Sequence, residues 1–274
     1  MVAITLGVLP ALPLLGWWLI RRQQQRLGWT LLLALLGTVL VTLLFSYLAL
    51  RPRPTAVRLL LPTPPFPSYP SGHAAMAFAA ATLLGLTIRQ RWLLVAGLAA
   101  ATLVGYSRLY LGHHYPSDVI GGAVLGAAVG AATYGLRVEQ SLVARLRWLV
   151  WLQAAVVFIG TQMAYLDRLP GYLLAWPLAD KVLHAVLFGA VVFWLNLWLA
   201  DRWVDYRGWS APLAIVIPFS LAFLEEGAQA FSPLRTADIT DLASDLLGML
   251  CFWWLSKRLL AKQASGGTEG NGLL

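Results

Sequence analysis

Of 274 residues, 59% are hydrophobic and only 12% carry a charge, about half the charged share of an ordinary soluble domain. Apolar runs of about 17–25 residues recur, each long enough to cross a bilayer, and an open sheet edge cannot face lipid, so the chain reads as an all-α polytopic membrane protein. Its net charge of +8 fits basic cytoplasmic loops and no nucleic-acid partner, and the single cysteine, Cys251, excludes an intramolecular disulfide.

About nine spans are expected, at 2–20, 29–50, 73–88, 92–107, 118–136, 148–166, 181–200, 211–229 and 241–256. The first lacks the basic start and small-residue cleavage site of a signal peptide, and Trp17, Trp18, Arg21 and Arg22 end it as an interfacial stop. Loops 21–28, 89–91, 137–147 and 201–209, with the C-terminal tail, hold 13 of the 20 cations, while 8 of the 12 acids fall on the opposite side. The positive-inside rule makes the first set cytoplasmic and the N-terminus external. The charged segment RVEQSLVARLR, 137–147, is the best domain boundary. It divides two helical bundles, 1–137 and 148–258, ahead of a Gly-rich tail, 259–274, expected to be disordered. The Pro-dense stretch PTPPFPSYPSG, 62–72, cannot be helical inside and is expected to be an external connector.

Three polar groups share the external ends of the first bundle: RPRP at 51–54, YPSGH at 69–73, and Ser107-Arg108 followed by His114 and Asp118. They suit phosphoryl transfer. Arg53 and Arg108 offer planar forks of donors for phosphate oxygens. Ser71 and Gly72 precede the third span, where free backbone N–H groups point at an anion and glycine allows close approach. A neutral imidazole, His114, can attack phosphorus, with Asp118 holding its tautomer, while His73 can protonate the leaving oxygen. The arginines carry the charge work, so neither a metal nor a cofactor is expected. A metal on His113-His114 is a weaker reading, because adjacent histidines rarely point at one ion.

These residues carry a family resemblance. RP at 53–54, PSGH at 70–73 and SR-x5-H-x3-D at 107–118 resemble the three signature motifs of the type 2 phosphatidic acid phosphatase superfamily, over about residues 29–136. The resemblance implies a phosphohistidine at His114 oriented by Asp118, His73 as acid, and Arg53, Ser71, Gly72 and Arg108 around phosphate. It also implies a lipid phosphate substrate such as phosphatidic acid, phosphatidylglycerol phosphate or a polyprenyl diphosphate. Where the family's first motif opens with Lys, this chain has Ser46, and Arg51 or Arg58 is expected to restore the charge.

The second bundle has its own polar set: Lys181 and His184 one turn apart, Glu226 and Gln229, then Arg235, Asp238, Asp241 and Asp245. Ionisable groups in spans pair or serve function, so an outward-facing cluster across the last three spans is expected. DKVLH, E-x-x-Q and R-x-x-D-x-x-D resemble the VanZ-like family over about 148–256, which implies an envelope role without naming a reaction. The whole reads as a metal-independent lipid phosphatase of the bacterial cytoplasmic membrane, its site facing outward. The alternative is a protein that binds a lipid phosphate or glycopeptide-like ligand without turning it over. Oligomeric state stays open.

Overall fold

The computed structural model describes residues 2–55, 65–139, 141–170, 176, 178–229 and 238–269. Ten helices follow in order: α1 (Val2–Arg21), α2 (Gln25–Ala49), α3 (Gly72–Ile88), α4 (Arg91–Tyr110), α5 (Pro116–Val138), α6 (Leu142–Leu146), α7 (Leu149–Tyr165), α8 (Ala179–Leu199), α9 (Leu213–Gln229) and α10 (Ile239–Glu269). Each of the nine expected spans has its helix; α6 is a short addition in the charged boundary segment. Among the described residues five stretches are long and apolar enough to cross a membrane: α2, α4, α5, Leu142–Tyr165 and α8. The chain divides into two compact units, residues 1–138 with 158–170, and residues 139–157 with 171–274.

In the first unit α2 shows why these runs fold as they do. Leu31, Leu35, Thr38, Thr42 and Phe45 are buried at helical spacing, while Leu33, Leu36, Leu40 and Leu44 are exposed along another face, the pattern of a helix with one side on protein and one on lipid. The tightest seam joins α3 to α5. A Cβ on Gly130 would meet the Ala79 carbonyl at 2.5 Å, and those on Gly122 and Gly126 would overlap the Ser71 and Ala75 carbonyls. Both sets of positions ascend together, so the helices run parallel, backbone against backbone, as small residues at four-residue spacing permit. That seam sets the start of α3 beside the start of α5.

The second unit repeats the device. Gly248 of α10 lies against the Ala185 carbonyl of α8, and Gly189 of α8 against Phe252. Two features depart from expectation. Residues 201–212 form an antiparallel hairpin, β1 (Trp203–Tyr206) with β2 (Trp209–Pro212), where a plain loop and a span start were expected. Its two-residue turn, Arg207-Gly208, has positive φ at both positions, which matches strand twist. The other is α10, which runs to Glu269, through most of the stretch expected as a disordered tail.

Candidate active site

The site residues of the first unit sit on the α2–α3 and α4–α5 connections, in the last turn of α4 and at the starts of α3 and α5. α4 ends at Gly112, whose φ of 72° lets the His113 N–H reach back to the Arg108 carbonyl (3.2 Å) and its own N–H to that of Leu109 (2.9 Å). This left-handed glycine stop turns the chain within a few residues. α5 then starts at once: Pro116 needs no N–H partner in the first turn, and Asp118 reaches back to accept the Tyr115 N–H (2.9 Å). The turn therefore holds Arg108, His113, His114 and Asp118 in fixed register.

His114 is buried. Its Nδ1 lies 2.8 Å from the Ser68 carbonyl oxygen. A carbonyl only accepts, so Nδ1 carries the proton and Nε2 keeps its lone pair, which faces Nη1 of Arg53 at 3.2 Å. Asp118 Oδ2 stands further from Nδ1, at 3.5 Å. The nearest partner that sets the tautomer is thus a backbone carbonyl, with the carboxylate behind it. Burial lowers the His114 pKa below its ordinary value; the Asp118 hydrogen bond and charge oppose this, and the Arg53 and Arg108 charges add to it.

Arg53 is clasped by the backbone: Nε donates to the Phe66 carbonyl (3.0 Å) and Nη1 to that of His113 (2.8 Å). Ser68 ties the same loop down, its N–H donating to the Arg51 carbonyl (2.8 Å) and its hydroxyl to that of Pro52 (3.1 Å). Arg108, at 1% exposure, donates through Nη2 to Nδ1 of His113 (2.8 Å). Among the described residues its Nε and Nη1 have no partner, nor has the buried hydroxyl of Ser71. Ser71 occupies the cap position of α3, but its side chain makes no capping bond. A buried guanidinium with two open N–H groups and a buried open hydroxyl fit an oxyanion between them. Gly72 and His73 open α3, and His73 feels the charges of Arg108, Arg53 and His114.

Sequence reasoning underrated two residues. Arg51 Nη1 donates to Asp118 Oδ1 (2.5 Å) and Ser117 Oγ (2.7 Å), and its guanidinium lies over the Tyr115 ring at 4.0 Å. His113 is the common partner of Arg53 and Arg108. Arg58 lies outside the described residues.

In the second unit Lys181 Nζ meets Asp238 Oδ2 (2.8 Å), Asp180 Oδ2 (3.3 Å) and Asp241 Oδ1. His184 donates from Nδ1 to Asp245 Oδ1 (3.0 Å). Glu226 accepts from the Asp238 N–H, and Gln229 donates to Glu225 (2.7 Å). Lys181, His184, Glu226, Asp238, Asp241 and Asp245 thus form one connected set. Gln229 bonds to Glu225 instead, and Arg235 lies outside the described residues.

Comparison with known proteins gives the family. Residues 27–141 match the PAP2 superfamily and residues 138–261 match VanZ/LLP1. The chain is 35% identical over 120 residues to an undecaprenyl-diphosphatase of Sulfolobus acidocaldarius, covering 42% of this chain and 58% of that one. It is 40% identical over 104 residues to a lipid A 1-phosphatase of Porphyromonas gingivalis, covering 37% and 21%. It is 35% identical over 130 residues to a decaprenylphosphoryl-5-phosphoribose phosphatase of Mycobacterium tuberculosis, covering 39% and 71%. The match thus spans little more than half of the first relative and a fifth of the second. No solved structure matches. Its motifs, and the relative matched over most of its length, put this chain in the PAP2 superfamily, with a VanZ/LLP1 domain following.

Proposed function

We propose that residues 27–141 form a lipid phosphatase that works through a phosphohistidine at Nε2 of His114, without a metal. The observation that carries this reading is the tautomer: Nδ1–H bound to the Ser68 carbonyl leaves a nucleophilic lone pair on Nε2, beside Arg53 and the open donors of Arg108 and Ser71. In the first step the Nε2–P bond forms as the P–O bond to the lipid breaks, and His73 gives a proton to the leaving oxygen. Charge on the equatorial oxygens is met by Arg53, Arg108, Ser71 and the Gly72 N–H end of α3. Nδ1 keeps its proton, and Asp118 stabilises the cationic ring. Water then attacks phosphorus as it gives a proton back to His73, the Nε2–P bond breaks, and inorganic phosphate leaves with Nε2 free.

The substrate class is a membrane lipid phosphate or diphosphate. The names of the relatives favour a polyprenyl carrier or lipid A over phosphatidic acid or phosphatidylglycerol phosphate. The cation distribution supports a site at the external face of a cytoplasmic membrane. The test is phosphate release from a lipid panel by the purified full chain with EDTA present, with rapid quench to trap an acid-labile, base-stable phosphoenzyme. Turnover and trapped phosphate should both vanish in His114→Ala. A wild type that binds these lipids but never releases phosphate leaves the binding-protein alternative, which Ser46 favours.

A further inference from the structure

Arg26 and Arg137 line two adjoining cavities at the far end of the first unit. One, of about 1110 Å³, is walled by Trp17, Ile20, Arg21 and Trp29 besides those two arginines. The other, of about 400 Å³, adds Thr87 and Arg89. No Asp or Glu lines either cavity, and among the described residues no carboxylate pairs with any of these four arginines. Their own contacts leave the charge in place: Arg137 donates to Thr87 Oγ1 at a long 3.4 Å, and Arg21 lies 5.1 Å over the Trp17 ring. Four like charges gathered without a counterion call for an anion.

The walls are fixed by backbone. Gln23, with φ 63°, turns α1 into α2, and a Cβ on buried Gly28 would meet the Gly16 carbonyl at 2.5 Å. The position is that of a membrane interface. α2 rises about 37 Å from Gln25 to Ala49, more than the hydrocarbon core, so the basin and Arg53 belong to opposite interfaces. Trp17 and Trp29 are exposed there, as interfacial indoles are. From Trp29 an exposed apolar stripe, Leu33, Leu36 and Leu40, runs along α2 into the bilayer, a bed for acyl chains below a charged head.

We propose that this basin binds the phosphodiester headgroup of an anionic phospholipid, taken from the leaflet opposite the one that the His114 site faces. Basic pockets between helices at a membrane face hold such headgroups through charge, and a phosphodiester is not the terminal phosphate or diphosphate that the His114 site suits. The inference stands apart from the phosphatase reading.

The test is photo-crosslinking of full-length protein in nanodiscs with photoreactive phosphatidylglycerol or phosphatidylcholine, followed by peptide mapping and titration. Phosphatidylglycerol should label segments 17–32 and 134–138 saturably, and phosphatidylcholine should not. Arg26→Gln with Arg137→Gln should weaken labelling about 30-fold, at roughly a tenfold loss per 1.4 kcal/mol and near 1 kcal/mol per basic residue. Arg26→Lys with Arg137→Lys should retain most of it, and added salt should weaken the wild type. Labelling confined to 106–118, equal labelling by phosphatidylcholine, or an unaffected glutamine variant with wild-type circular dichroism overturns the proposal. So does displacement by soluble glycerophosphoglycerol at concentrations equal to the lipid, which would assign the basin to a soluble diester.

Discussion

Nη2 of Arg108 donates to Nδ1 of His113 across 2.8 Å, and the carbonyl of the same histidine accepts from Arg53 across another 2.8 Å. One residue therefore aims both guanidinium groups, one through its ring and one through its backbone. Substitution touches only the ring bond. Asn at 113 can present an acceptor oxygen near the Nδ1 position, and Leu cannot. His113→Leu should lower kcat by about 10–10²-fold through misplacement of Arg108, and His113→Asn should recover most of it. Equal activity of both variants and the wild type, measured as kcat and KM on one lipid phosphate, would remove the positioning role.

The acid limb of kcat/KM follows from His114. Its pKa is below the ordinary histidine value of 6.5 because the ring is buried. A lowered pKa favours the neutral ring, so activity should persist as pH falls past 6.5 and be lost only at the lower folded value. Arg53 lowers that pKa further and Asp118 raises it. On a common substrate, Arg53→Gln should move the limb to higher pH and Asp118→Asn to lower pH, in whatever activity remains. Shifts of the opposite sign would mean that another group titrates.

Arg51, one of the two arginines expected to restore the charge missing at Ser46, pairs with Asp118. Loss of Arg51 should therefore act on the carboxylate behind His114: Arg51→Ala should lower kcat about tenfold or more and leave KM nearly unchanged. Arg51→Lys, which keeps the charge on Asp118 but not the planar fork, should fall between. Ser46→Lys should then raise the rate. A KM effect from Arg51→Ala would put it among the phosphate ligands.

In the second unit Lys181 is the hub. Lys181→Met leaves the largely buried Asp241 carboxylate without its cation and should lower the thermal midpoint, with Asp241→Asn added in the same chain restoring part of the loss. The Lys181 hydrogen bond holds the Asp238 carboxyl at about 2, below its ordinary 3.8. A depressed carboxyl stabilises above its unfolded value, and that stability is lost as pH falls through the folded value. The thermal midpoint should be flat from neutral pH to about 4 and drop towards 2, and Lys181→Met should flatten the drop. Additive single-variant losses would dissolve the cluster into unrelated pairs.

The helices and the gathering of the first polar set were legible because both are written in side chains: apolar runs for one, Arg, Ser, His and Asp in tight order for the other. What escaped was written in backbone. The Ser68 carbonyl is 46 residues from His114 and carries no residue-type signal. Asp118 read as a partner of His114, but Pro116 before it already marked a helix start in which the third residue reaches back to the cap. His113 was weighed only as half of a metal pair; Gly112 between it and Arg108 was the cue for the turn that folds it back. The 203–212 hairpin was hidden by loop charge, although Arg-Gly between Trp- and Tyr-bearing strands is a hairpin turn sequence.

The glycine seam makes the width of the catalytic cradle a matter of backbone thickness. Ser71 caps α3 and Asp118 sits in the first turn of α5, and between the helices below them nothing compressible intervenes. A single methyl at Gly126 would strike the Ala75 carbonyl, and only separation of the two rods can make room. Gly126 lies about 12 Å along α5 from Asp118, two turns beneath the chemistry. Alanine there would act as a shim, prying open the mouth of the proposed site from within the bilayer although no residue of that site is itself replaced.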